Sequence, residues 1–131
     1  MDKASTYKRV LVIEDDDLLR EVITLTIQCE GFEVIAASNG KEAISLLLNP
    51  HTSLAVDLIL VDLIMPVMDG LHFLRWLRQE SKLTIPAIVL SGRKTTHTWD
   101  EVKSAGGTDL IYKPLEAEDL IAKIKQTIGV S

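Results

Sequence analysis

One cysteine, Cys29, stands in a chain of 131 residues. It rules out an internal disulfide and makes a reducing compartment the default. No apolar run approaches the roughly 20 residues of a membrane span. The opening MDKASTYKR lacks the apolar stretch of a secretory signal. Basic residues are in deficit: fourteen Lys plus Arg against nineteen Asp plus Glu leave a net charge of −5. That excludes the concentrated basic face of a duplex-DNA binder. The histidines at 51, 72 and 97 show no metal-ligand spacing and read as surface residues. There is no internal repeat, low-complexity tract or dividing linker. The expectation is a cytoplasmic domain with no membrane or direct nucleic-acid partner. One domain should span 1–131, with its core at about 8–128 and a flexible N-terminus at 1–7.

What is present is apolar: 47% of residues are hydrophobic, enough for a real core. The blocks Val10–Ile13, Val34–Ala37, Leu58–Val61 and Ala87–Leu90, with a weaker Leu110–Tyr112, are short and mostly continuous. Such runs suit strands covered on both faces of a parallel sheet. Between them, apolar residues recur at helical spacing, as in Leu19/Val22/Ile23/Ile27 and Leu120/Ile121/Ile124/Ile128. Gly31, Asn39-Gly40, Pro66, Gly70 and Gly106-Gly107 punctuate the segments. Thr95–Ala105 is the weakest helix, because Thr95, Thr96 and Thr98 are poor helix formers. Strand then helix, five times over, predicts an α/β open parallel sheet with helices on both faces.

In such sheets ligands sit outside the carboxyl ends of the strands. Glu14 to Asp17 follow the first block, Asp62 the third, Ser91 the fourth and Lys113 the fifth. Carboxylates converging there repel by roughly 4 kcal/mol per pair at 4 Å and an effective dielectric near 20, which a hard cation such as Mg²⁺ relieves. A lysine and a hydroxyl beside them suit an anion. Together these groups fit phosphoryl chemistry, in which an aspartate can itself be the nucleophile. Asp16 and Asp17 read as a helix-start cap, Asp57 as a strand-start residue and Asp69 as a turn residue. Cys29 reads as a small buried apolar group. Trp76 and Trp99 read as core covers, an exposed Trp99 being the sign of a partner surface.

The stretches RVLVIEDDDLLRE, DLILVDLIMPVMDG, IPAIVLSG and GGTDLIYKP, in that order, resemble the receiver domain of two-component response regulators. The resemblance runs from about Lys8 to Ile128. It implies a flavodoxin-like (βα)5 fold of three layers with strand order 2-1-3-4-5. It further implies that Asp62 accepts a phosphoryl group from a histidine kinase or histidine phosphotransfer protein. Glu14, Asp15 and Asp62 with the backbone carbonyl of Ile64 would hold Mg²⁺ (or Mn²⁺), while Lys113 and Ser91 would engage the phosphoryl group. A cis bond is expected before Pro114. A downstream protein would be contacted through the face of the fourth helix, fifth strand and fifth helix. Such a domain is a signalling phosphoacceptor, not an enzyme, with at most self-catalysed phosphoryl transfer and autodephosphorylation.

Four positions depart from or modulate that pattern. Leu110 stands where the family commonly has an aromatic. Val67 follows Met65-Pro66 where glycine is frequent, and reads as a tolerated loop variation. Ile64 and Arg93 fall where side chains tune phosphate lifetime. Three rivals compete with the signalling reading. A receiver-like scaffold that only holds partners is kept alive by Leu110. A phosphohydrolase with Asp62 as nucleophile lacks its acid–base partner, since Ile64 stands two places on. A flavodoxin-like cofactor binder lacks a phosphate-cradling loop after the first strand, where acids stand instead.

Overall fold

The computed structural model describes residues 7–92, 95 and 97–129; Arg93 and the expected N-terminal tail up to residue 6 lie outside the described residues. Five strands, β1 (Arg9–Ile13), β2 (Glu33–Ala37), β3 (Leu58–Asp62), β4 (Ala87–Ser91) and β5 (Asp109–Tyr112), form one sheet. Its order is β2-β1-β3-β4-β5 and every pair is parallel. Every residue of β3 and β4 is buried, as is β1 beyond Arg9, while β2 and β5 at the edges are mostly part-exposed. This explains why the first, third and fourth blocks read as the most continuous: only the inner strands lack a solvent face.

Side-chain alternation splits the core in two. Leu11, Ile13, Ile59, Val61, Ala87 and Val89 face α2 (Gly40–Leu47), α4 (Gly70–Arg75) and α5 (Thr98–Ala105). Val10, Val12, Leu58, Leu60, Ile88 and Leu90 face α1 (Asp17–Cys29) and α6 (Ala117–Ile128). Asx caps start the helices: Asp16 accepts from the Leu19 amide at 2.9 Å, Asn39 from Glu42 at 2.8 Å, and Asp69 from His72 at 2.8 Å. Each such cap contributes about 1 kcal/mol. Asp69 is thus a helix cap rather than a simple turn residue. Gly106, at φ +108°, closes α5.

The structure departs from the sequence expectations in four places. A single extra turn, α3 (Pro50–Ser53), starts on an Asn49 cap with proline in its first turn, so the helices number six among the described residues. α4 continues as a widened π-turn over Trp76–Glu80. There Arg78 donates to the carbonyls of Gly106 at 3.0 Å and Leu83 at 2.9 Å, tying that turn to the end of α5. α5 begins at Thr98 rather than Thr95, and its first turn holds the threonines by a 2.7 Å hydroxyl pair. Cys29 is exposed. It stands two residues beyond buried Ile27, about 200° around a helix, and so on the solvent side.

One loop residue, Val67, adopts a strained backbone. Its φ of +72° lies in a region that β-branched side chains avoid, and the Met68 amide returns to the Pro66 carbonyl at 2.7 Å, a γ-turn of the strained hand. The side chain is 75% exposed and does not offset the strain by burial. Val67 is therefore tolerated at a cost. Val67→Gly should stabilise the protein by about 1 kcal/mol, the relief of roughly 1–3 kcal/mol of backbone strain less the added chain entropy of glycine. Urea unfolding checks this, and a stability equal to or below that of the parent would show that the turn is unstrained.

Candidate functional site

Parallel pairing brings every strand's carboxyl end to one edge of the sheet. Ile13 is in register with Ala37 on one side and Val61 on the other, Asp62 with Leu90, and Ser91 with Tyr112. Glu14, Asp62, Ser91 and Lys113 therefore end or follow four of the five strands at nearly one level. The Glu14 amide donates to Ala37 at 3.1 Å, Leu63 to Leu90 at 2.8 Å, and Lys113 to Ser91 at 2.8 Å. These bonds extend the ladders one step past the strands and hold the functional residues rigidly. The Lys113–Pro114 peptide is cis.

Glu14, Asp15 and Asp62 each offer a carboxylate oxygen within 4.8 Å of the others. Glu14 is 1% and Asp62 5% exposed, while Asp15 lies in solvent. Lys113 Nζ stands 3.1 Å from Asp62 Oδ1 and 3.5 Å from Glu14 Oε1. Glu14 Oε2 also accepts from the Asp16 amide at 3.1 Å. Burial pushes the Glu14 carboxyl up to about 7; the neighbouring Asp62 charge adds to this, while the Asp16 amide and Lys113 pull it back. Burial works against the Lys113 charge as well, but the hydrogen bond and charge of Asp62, and then Glu14, hold its ammonium above the usual lysine range. Three carboxylates with one cation leave a negative excess in a half-dry pocket. That donor set, all hard oxygen, fits a small divalent cation such as Mg²⁺.

Ser91 is buried at the end of β4, with its neighbour in register, Tyr112, half-buried. Ile64 lies two residues past Asp62 with its side chain 62% exposed. Leu110 packs half-buried against the core on the α2/α4/α5 side. Trp99 is exposed, whereas Trp76 is half-buried beside Phe73, ring centres 6.1 Å apart. The three histidines are all exposed.

Two residues of consequence were not evident from the strand ends. Gly70, the first residue of α4, packs so closely that a Cβ there would lie 2.6 Å from the Asp62 carbonyl oxygen and 2.9 Å from Leu63 Cα. Its signal was faint, because glycine after Asp69 also reads as an ordinary turn. Arg20 reaches back from α1 to the Glu14 carbonyl at 2.8 Å and to Asp17 at 2.6 Å. The Asp17/Arg20 spacing of three on a helix was its only trace.

Known proteins place this geometry. The family model of the response regulator receiver domain matches residues 10–125. The transcriptional regulatory protein PhoP of Escherichia coli is 38% identical over 117 residues, covering 89% of this chain and 50% of PhoP. The cell cycle transcriptional regulator CtrA of Caulobacter vibrioides is 35% identical over 120 residues, covering 92% and 50%. The chain thus spans about half the length of the curated relatives it matches. Among solved structures, the Vibrio cholerae chemotaxis protein CheY4 superposes with a TM-score of 0.84 at 28% identity, over 92% of this chain and 98% of that one. Receiver domains are signalling modules of two-component systems, and no helix among the described residues is long and apolar enough to cross a membrane. By its sheet order, its strand-end residues and these matches, the chain belongs to the response regulator receiver domain family.

Proposed function

We propose that this chain is a phosphorylatable receiver domain over its whole length, taking a phosphoryl group on Asp62 from a histidine kinase or histidine phosphotransfer protein. The observation that carries the reading is a buried aspartate paired with a lysine at 3.1 Å and flanked by two more carboxylates within 4.8 Å, at the switch-point edge of a parallel sheet. A carboxylate oxygen of Asp62 attacks phosphorus, the O–P bond forms as the P–N bond to the donor imidazole breaks, and the imidazole takes up a proton. Mg²⁺ held by Glu14, Asp15, Asp62 and the Ile64 carbonyl would supply neutralisation of the phosphoryl oxygens. Lys113, 3.1 Å from Asp62 Oδ1, would pair with the new dianion, and Ser91, at the end of the adjacent strand, would hydrogen-bond it. The modified state biases the domain toward a different set of protein contacts, with the face of α5, β5 and α6 as the downstream surface. Trp99, which belongs to α5, is exposed.

The transcriptional roles in the relatives' names belong to proteins about twice as long as this chain. With a net charge of −5, this segment acts through protein rather than by gripping DNA itself. Ile64, largely in solvent two places after Asp62, supplies no acid–base group, which supports a phosphoacceptor rather than a hydrolase.

The test is intact mass after incubation with Mg²⁺ and acetyl phosphate. One phosphoryl adduct is expected, absent with chelator. No adduct together with no Mg²⁺-dependent rise in melting temperature would overturn the reading. Acidity provides a second check. The raised Glu14 carboxyl favours its protonated form in the folded state, so its contribution to stability is present below about pH 4.5 and is lost as the pH climbs toward 7. Without metal, wild type should lose stability across that window relative to Glu14→Gln. Because Glu14 must shed its proton to hold a cation, apparent Mg²⁺ affinity should rise several-fold from pH 6 to pH 7.5. A flat affinity profile would show that Glu14 is already ionised.

A further inference from the structure

Four acids in a row, Glu14 to Asp17, enter the site edge, yet only two of them converge on Asp62. Asp16 is occupied as the cap of α1, accepting from Leu19 at 2.9 Å. Asp17 is drawn away by Arg20, whose Nη2 donates to it at 2.6 Å. The other terminal nitrogen of the same guanidinium donates to the Glu14 carbonyl at 2.8 Å. Glu14 is consequently held at four points: its amide on Ala37, its carbonyl by Arg20, and its two carboxylate oxygens by the Asp16 amide and Lys113. Arg20 is itself fixed in the first turn of α1 by its amide on the Asp16 carbonyl at 2.8 Å, and its side chain is mostly buried.

We infer that Arg20 is a positioning residue of the acidic site: it locks the Glu14 peptide so that Glu14 and Asp15 point at Asp62, and it keeps Asp17 out of the cluster. A planar guanidinium suits this role because two nitrogens serve two acceptors with one fixed geometry, which an ammonium does not reproduce. Partners of metal-holding groups commonly change affinity by 10–100-fold when removed. The inference rests on the reading of Glu14, Asp15 and Asp62 as a cation site.

The sign of the effect separates positioning from plain charge. Arg20 is a cation near a site for cations, and it neutralises Asp17. If only its charge mattered, Arg20→Gln would bind a divalent ion more tightly. If it positions Glu14 and Asp15, Arg20→Gln binds more weakly despite the added negative charge.

The experiment uses Mn²⁺ as the probe and counts free ion by electron paramagnetic resonance in wild type, Arg20→Gln, Arg20→Lys and Asp17→Asn, with metal-free unfolding of each as the stability control. The expected result is about tenfold weaker Mn²⁺ binding in Arg20→Gln and a smaller loss in Arg20→Lys, which keeps the charge without the two-pronged geometry. Asp17→Asn, which spares the Glu14 carbonyl bond, should change affinity less than twofold. Should Arg20→Gln fail to fold, Arg20→Lys carries the comparison. Wild-type or tighter Mn²⁺ binding by the folded Arg20 variant would overturn the inference alone. Failure of wild type to bind Mn²⁺ would overturn the cation-site reading and the inference with it.

Discussion

An Asp62→Asn variant should gain no phosphoryl mass from acetyl phosphate under conditions that modify the parent fully, and should unfold at higher urea in the absence of metal. The first effect is complete because an amide is not a nucleophile toward phosphorus. The second follows from the charges around a carboxylate that is 5% exposed. At pH 8, repulsions from Glu14 and Asp15 at up to 4.8 Å each cost about 3.5 kcal/mol at an effective dielectric of 20, against about 5 kcal/mol of attraction from Lys113 at 3.1 Å. Asp15 lies in solvent, so its share is screened to about 1 kcal/mol, but removing a buried charge also relieves about 1.5 kcal/mol of desolvation, which leaves a net gain of about 1 kcal/mol. At pH 5, where Glu14 is protonated and its repulsion is gone, the balance should reverse to a loss of about 2 kcal/mol. A variant that still acquires phosphate at the parent rate would remove Asp62 from the chemistry. One that loses stability at pH 8 would show that Lys113 dominates the pocket.

Gly70→Ala should cost about 2 kcal/mol and slow phosphoryl acceptance as well. The added Cβ would meet backbone on both contacts, the Asp62 carbonyl at 2.6 Å and Leu63 Cα at 2.9 Å, and backbone in a buried strand has little room to give. Overpacking of that kind costs roughly 1–3 kcal/mol and occasionally more, partly offset by the better helix propensity of alanine, up to about 1 kcal/mol. For a chain of this size the melting temperature should drop by roughly 6–10 °C. The displaced element is the strand end that carries Asp62, so the acceptance rate should fall even at temperatures where the variant is folded. An alanine variant with parental stability would mean that α4 can slide off the strand without resistance. Parental acceptance in a destabilised variant would mean that Asp62 tolerates the shift.

Much of the fold was legible because its signals are local. Continuous apolar runs such as LILV and AIVL report burial on both faces, which only inner strands of a covered parallel sheet have. Asn39 and the glycines mark helix ends through bonds that span two or three residues. The less legible elements are those in which a local rule was overridden at a distance. Thr95 was left out of α5, whose start is set by the Thr98 hydroxyl pair. The π-turn after α4 depends on Arg78 reaching carbonyls near residue 83 and, 28 positions away, at residue 106. Cys29 reads as apolar by type, but its angle on the helix places it in solvent.

The candidate site divides in the same way. Which residue types end which strands is a property of the sequence, and Glu14, Asp15, Asp62, Ser91 and Lys113 could be named from it because chain direction alone sends every parallel strand's end to one edge. The four motif stretches added the family, which the match over residues 10–125 bears out. Tertiary structure decided the division of labour within the acidic run: Glu14 buried against Lys113, Asp15 in solvent beside Asp62, Asp16 spent on a cap and Asp17 on Arg20. It also decided that Gly70 must be glycine and that Val67 is strained. These depend on distances between segments that meet only after folding, and a carboxylate's burial or a Cβ's room is set by what packs over it, not by its neighbours in the chain.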